Sequence, residues 1–454
     1  MRHIKTLLFA LPLAFASLSL ADARDASACG GCFVTQSEST QVTGHRMILS
    51  VSNEKTTLWD QIKYQGNPAS FGWVLPIKGQ VDIGLSSDAL FETLEVLTEV
   101  VISSPSISCL PPGCFGAPTA GADDGQGTGG GGGVTVIAQE VVGPYDTVQL
   151  SSADSQALKN WLAANSYSIP ADVAPVIDSY VAEGFDFLAI KLLPGQGIDS
   201  MRPVRITSQG ASASLPLRMV AAGTGAITPI SLWIVGEGRY EPTNFPTFEI
   251  DPANLIWNWD SSSSNYKDLR TEGFEATQGK AWLYEAAEPA STYQIEYPLK
   301  DLVDFNPKES GYGDADGMNA DVELAEDLAA LYGSIDPNSL WLMRLHAELP
   351  RSALATDLEI GASKDQSSVV RFFQATQTVG TAPECPPPPP GCEDPSDPEN
   401  NSWSGFWDEE DPANANSGGC AIGGGVGSSA ILGGLALSLG LGLARRRRNR
   451  SVKR

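Results

Sequence analysis

Histidine is scarce in this chain: three residues among 454, with His3 close to the start. A serine or cysteine hydrolase needs a histidine as general base, oriented by a carboxylate. Only His45 and His346 remain for that role, and neither a Gly-x-Ser-x-Gly turn nor a His-Glu-x-x-His helix accompanies them. Both fall in segments of strand pattern and are assigned as strand residues. Basic residues are scarce too, 29 against 54 acidic, for a net charge of −25. Setting aside Arg2, Lys5 and Asp22 near the start and the seven basic residues after Cys420 leaves 20 basic against 53 acidic, a net of −33. Such a body repels nucleic acid and anionic lipid, so no nucleic-acid partner is expected. The glycine run 129–133 lacks the Gly-Lys-Ser/Thr of a phosphate loop and has no basic residue near it.

Long apolar runs are missing from the middle of the chain and present at its two ends. Met1-Arg-His-Ile-Lys5 precedes an apolar stretch from Leu7 to Leu20, then Ala21-Asp-Ala23. That order of charge, apolar core and small residues is a secretory signal peptide over 1–23. Residues 421–444 carry no charge, and Arg445, Arg446, Arg447, Arg448 and Arg450 follow at once. A helix of that length spans the ~30 Å hydrocarbon core, and the arginines stay on the cytoplasmic side. The expected anchor is therefore 420–444, with a basic tail at 445–454.

Seven cysteines form three close pairs and one leftover: Cys29/Cys32, Cys109/Cys114, Cys385/Cys392 and Cys420. In an exported chain, pairs this close are expected to oxidise locally into three disulfides. Cys29-Gly-Gly-Cys32 follows the leader instead of opening a helix after a strand, which argues against a redox motif. Between the ends, the composition divides the chain into a body at 24–383 and a Pro-rich, acidic stalk at 384–419. Within the body, 116–133 is a Gly-rich linker from which no core can be built.

The body reads mainly as strands. Met47, Leu49 and Val51 alternate with polar residues, and Trp73, Leu75 and Ile77 share one face of a strand that Pro76 puts at an edge or ends early. Leu90, Leu94, Leu97 and Val101 have helical spacing. Two short helices are expected after Ser151/Asp154 and from Val173 to Gly184, with Asn165 as a left-handed end. Apolar strand-like runs occupy 134–142, 185–193, 203–208, 215–221, 228–235 and 340–349, with a last helix near 320–332. The expected class is α+β, mainly antiparallel sheet with a few short helices.

Two groups of residues suggest ligands. Asp314, Asp316, Asn319 and Asp321 place oxygen donors around Gly317, which suits calcium. The glycine comes fourth instead of sixth as in an EF-hand loop, no glutamate is in register, and the same residues serve equally as turn and helix cap. Trp257 and Trp259, two apart in a strand, face one side: exposed they make a sugar-stacking platform, buried they are core. Glycoside hydrolysis needs only two carboxylates, and no spacing singles out a pair.

Cys29-Gly-Gly-Cys32-Phe33, Gln61-Ile-Lys-Tyr-Gln-Gly66 and Phe71-Gly-Trp-Val-Leu-Pro76 resemble a bacterial family known as domain of unknown function 2330. Gly143-Pro-Tyr-Asp146, Phe187-Leu-Ala-Ile-Lys-Leu192, Trp257-Asn-Trp259 and Met343-Arg-Leu-His-Ala-Glu-Leu349 extend the resemblance. It implies no activity and carries over no catalytic residue. Gly418-Gly-Cys420, the apolar span and the arginine block resemble the myxobacterial C-terminal sorting signal. That resemblance implies cleavage near Cys420 by a sorting protease and surface display; a thiol at the membrane boundary is also suited to lipidation, and the alternative is a permanent tail anchor. The expected function is a surface-anchored binding or structural protein. The alternatives are a carboxylate-dependent hydrolase and a calcium- or glycan-dependent adhesion module.

Overall fold

A computed structural model describes residues 32–33, 41–65, 72–107, 140–167, 169, 171, 173–196, 200–211, 213–221 and 226–384. The expected leader (1–23), linker (116–133), anchor (420–444) and basic tail (445–454), and every cysteine except Cys32, lie outside the described residues, as does the expected stalk beyond Glu384. Among the described residues no helix is long and apolar enough to cross a membrane.

Eight strands form the main sheet: β1 (Gln41–Val51), β2 (Lys55–Gln65), β3 (Val81–Leu85), β4 (Val204–Gln209), β5 (Ile227–Glu237), β6 (Thr247–Phe248), β7 (Trp282–Pro289) and β8 (Leu340–Pro350). Their order across the sheet is β6-β7-β8-β5-β1-β2-β4-β3. All neighbours run antiparallel except β5/β1 and β6/β7. The class is α+β and mostly sheet. Among the described residues the helices number eight, none longer than 14 residues: α1 (Asp88–Thr98), α2 (Ser155–Ala164), α3 (Ala174–Ala182), α4 (Leu217–Ala221), α5 (Tyr266–Ala276), α6 (Thr292–Phe305), α7 (Pro307–Ser310) and α8 (Ala320–Tyr332).

Strand alternation gives the sheet two apolar faces. Ile48, Trp59, Trp233, Val235 and Leu342 pack under α1, α6 and α8. Met47, Leu49, Leu232, Ile234, Met343 and Leu345 line the other face, where Leu217 and Val220 of α4 join them. A second sheet, in the order 32–33, 72–77, 186–192, 145–150, 140–142, lies on that side. Its Trp73, Leu75, Leu188 and Ile190 meet Val81, Leu85, Val204 and Ile206 of the main sheet. Its outer face carries Val74, Phe187 and Ala189 beneath α2 and α3. The body is thus layered helix, sheet, sheet, helix.

Several local expectations change. Residues 215–221 are not one strand: Ser214–Leu215 pair for two residues and α4 begins after Pro216, which has no N–H for a ladder and is suited to opening a helical turn. The left-handed residue after α2 is Ser166, φ 68°, while Asn165 has φ −97°. Asp154, not Ser151, caps α2, accepting from the amides of Gln156 and Ala157. Pro76 pairs with Phe187 inside the second sheet; the two-residue strand on its other side reaches only Gly72 and Trp73, so no ladder bond is demanded of Pro76 there. Helices α5 and α6 had no forecast. In α6 the pattern is broken by Pro298, yet Ile295, Leu299 and Val303 still form a buried stripe, and a Ser291/Gln294 capping box starts it.

Candidate functional site

The helix-side face of the main sheet carries buried charge under α8, where Asp327 meets Arg205, and again under α1 and α5. Arg46 of β1, Trp233 of β5 and Arg344 of β8 stand side by side there. The Trp233 indole lies between the two guanidiniums, 5.3 and 5.5 Å from its ring centre, and its Nε1 donates to Thr98 at 2.9 Å. Glu95 of α1 bridges both cations, at 3.2 Å from Arg46 and 2.8 Å from Arg344. Burial lowers the Arg46 pKa, and the nearby Glu95 opposes that shift.

Beside Arg344, β7 carries an extra residue. Tyr284 pairs with Leu345 and Ala286 with Arg344, leaving Glu285 as a bulge without a cross-strand partner. Such bulges re-aim a side chain and are frequent next to active sites. The Glu285 carboxylate is 6% exposed, with the Arg344 Nε 2.8 Å away and the Arg270 guanidinium of α5 at 3.9 Å. The Arg344 N–H points past the oxygen, so the pair is a charge contact without a formed hydrogen bond. Burial pushes the Glu285 pKa up, against Arg344, Arg270 and a hydrogen bond from Tyr266.

Glu285 opens into a cavity of about 130 Å³. Tyr266, Tyr284 and Glu249 share its wall, and Val369, Val370 and Phe373 cover it. Burial keeps the Tyr266 phenol protonated well above its ordinary range and pushes Tyr284 up to about 12. Glu249, half exposed, is held by Arg239 at 2.9 Å, and the Arg239 guanidinium also lies 4.4 Å over the Tyr284 ring. The covering residues belong to one strap. Val369 bridges to Ala287, Phe372–Gln374 run parallel to Val101–Ser103, and Gln377–Val379 run parallel to Ile256–Asn258. The arrangement offers one buried carboxyl of raised pKa, one carboxylate at the rim and phenols that stay protonated, around a space smaller than a drug-sized pocket.

Residues 23–330, more than half of the chain, match the family described as an uncharacterized protein conserved in bacteria, DUF2330. The chain belongs to this family. Neither a curated protein nor a solved structure matches it. Glu285, Tyr266, Arg270 and Glu249 fall inside the family's matched span, whereas Arg344 and the strap lie beyond it.

The residues singled out in the sequence are placed elsewhere. Trp257 and Trp259 are both half-buried and meet edge to face, centres 6.3 Å and planes 73° apart. Asp314 accepts from the amides of Asp316 and Met318, at 2.9 and 3.0 Å, and Asp316 pairs with Lys308 at 2.9 Å. Asn319, at φ 62°, occupies the N-cap position of α8 with no side-chain cap bond. Among the described residues no three His, Cys, Asp or Glu side chains are grouped to hold a metal ion. Cys29, Cys109, Cys114, Cys385, Cys392 and Cys420 lie outside the described residues; Cys32 pairs through its backbone with Trp73.

The two histidines are indeed strand residues, and they point to opposite faces: His45 is level with Ile230 and His346 with Ser231, adjacent residues of β5. They cannot share one ion. His346 lies beside Phe274, 6.0 Å between ring centres, and 3.6 Å from Glu348. Burial, with Arg270 and Arg344 nearby, lowers its pKa to about 3. An unfolded histidine titrates near 6.5, so between those values the unfolded chain binds a proton that the folded one refuses. The stability that neutral His346 confers is present above the unfolded value and lost as pH falls. Compared with His346→Gln, the parent chain should lose about 1.4 kcal/mol per pH unit on acidification below that value. Urea midpoints of the two proteins across that interval check this; parallel profiles would refute it.

Proposed function

We propose that this chain is a surface-displayed binding protein of the bacterial envelope that takes one hydroxyl-rich unit, such as the terminal sugar of a glycan, beneath its strap. The observation that carries the reading is the bulged Glu285 turned into a cavity walled by tyrosines. The buried Glu285 carboxyl offers its oxygens to hydroxyl groups, Glu249 and Ser368 add further polar groups, and aromatic faces suit the apolar side of a sugar ring. Display rests on the leader, the uncharged span 421–444 and the arginine block after it.

Calorimetric titration of the full chain with a panel of free monosaccharides tests the reading. One or more should bind, and Glu285→Ala should weaken binding at least about tenfold, ~1.4 kcal/mol. No heat from any sugar overturns it. A second reading follows from Glu249 and Glu285 lining one cavity: an acid of raised pKa and a rim carboxylate are the pair a glycosidase needs. Release of nitrophenol from 4-nitrophenyl glycosides, abolished in Glu285→Gln, would establish hydrolysis in place of binding.

A further inference from the structure

We infer that His45, Asp60, Met47 and Met219 form a buried site for one copper ion between the two sheets, apart from the Glu285 cavity. His45 is 2% exposed and Asp60 6%. Both ring nitrogens of His45 and Oδ1 of Asp60 are buried without a hydrogen-bond partner. Leaving such atoms unpaired is costly, and one ion between Nδ1 and Oδ1 would satisfy two of the three.

The spacing says how. His45 Nδ1 and Asp60 Oδ1 stand 3.6 Å apart, too far for a hydrogen bond. Two ligands at about 2.1 Å from one metal ion, spread by about 118°, are separated by about that distance. The strand register brings a third donor to the same face, because Met47 lies two residues along β1 from His45 and directly opposite Asp60 on β2. Met219 of α4 approaches from the facing layer. Beside the His45–Asp60 pair, Met47, Met219 and Asp60 line a common void of about 10 Å³, which His45 itself does not line.

The rest of that wall is Leu58, Trp73, Leu75, Pro216 and Val220. A water there would find few polar partners of the two to four it needs. One imidazole, one carboxylate and two thioethers are instead a ligand set whose soft sulfurs favour copper over zinc, calcium or magnesium. His346 and Glu348 show the same 3.6 Å spacing, but the Arg270 guanidinium lies 3.6 Å from Glu348 and repels a cation there. No local pattern marks the inter-sheet site: its residues are spread from 45 to 219 and have no metal-binding spacing.

The test uses the full chain in detergent, thiols alkylated, equilibrated with copper and ascorbate without oxygen and then challenged with bicinchoninate. Elemental analysis should find one copper per chain. His45→Ala should lose it, and so should Met219→Leu, a swap of similar volume that keeps the fold. His346→Ala should retain it. Reoxidised protein should show nitrogen hyperfine coupling from a single imidazole in its Cu(II) electron paramagnetic resonance spectrum. Zinc bound in preference, no copper retained, or full copper in Met219→Leu would each overturn the assignment.

Discussion

Asp327→Ala is expected to cost about 3–5 kcal/mol of stability, the usual penalty for removing one side of a buried ion pair. Asp327 of α8 is 1% exposed and stands where the helix layer meets the main sheet. Trp59 Nε1 of β2 donates to it at 2.7 Å, Tyr312 OH at 3.0 Å and Arg205 of β4 at 3.1 Å, and Ser86, just before α1, donates as well. Burial pushes the Asp327 pKa up, and Arg205 with three hydrogen-bond donors pulls it back down. Alanine would leave four donors facing a void, with Trp59 and Tyr312 unable to reach water. Asparagine keeps an acceptor but turns an amide toward donors, so much of the loss should remain. Arg205→Met removes the counter-charge, and in the double variant the two costs should fall well short of adding. Urea denaturation of the four proteins measures this. Strict additivity, or a loss in Asp327→Ala below about 1 kcal/mol, would show that the network holds nothing together.

The strands were legible where apolar residues alternate with polar ones, as Met47, Leu49 and Val51 do with Arg46 and Ser50, although both faces of β1 are buried. Helix α8 was legible from its spacing. Helix α6 was not: Pro298 interrupts the pattern, while the burial of Ile295, Leu299 and Val303 against the sheet outweighs the proline. Run 215–221 misled because its apolar residues serve two elements that meet at Pro216. For the site, the obstacle is distance along the chain. Arg46, Glu95, Trp233, Glu285 and Arg344 meet through sheet order, and no local pattern records that order. Glu285 stands out only once the register slips beside it, a slip invisible in Glu285-Ala-Ala-Glu288. The oxygen cluster around Gly317 was conspicuous for the opposite reason. Its partners are all local, and they make a turn leading into α8.

On the proposed display through Cys420, Cys420→Ala should leave the chain uncleaved at the inner membrane. The apolar run begins at the residue after Cys420, and the first charge after it is Arg445. On the proposed topology, with the arginines on the cytoplasmic side, the sulfur would lie at the outer boundary of the bilayer. There a membrane protease could reach the preceding bond, and a lipid on the thiol would enter the outer leaflet without moving the chain. One acyl chain holds only marginally, at ~0.8 kcal/mol per buried methylene, so lasting attachment requires a second chain or a partner. The last described strand, Gln377–Val379, is clamped along Ile256–Asn258, and the Thr381 amide reaches Asp260 at 3.2 Å. The described chain therefore ends at Glu384, just beyond the strap that lines the Glu285 cavity. Intact mass spectrometry of the surface fraction decides the matter. A product ending near Cys420 with added lipid mass is expected, and recovery of Arg445–Arg454 on displayed protein would instead establish an uncleaved membrane anchor.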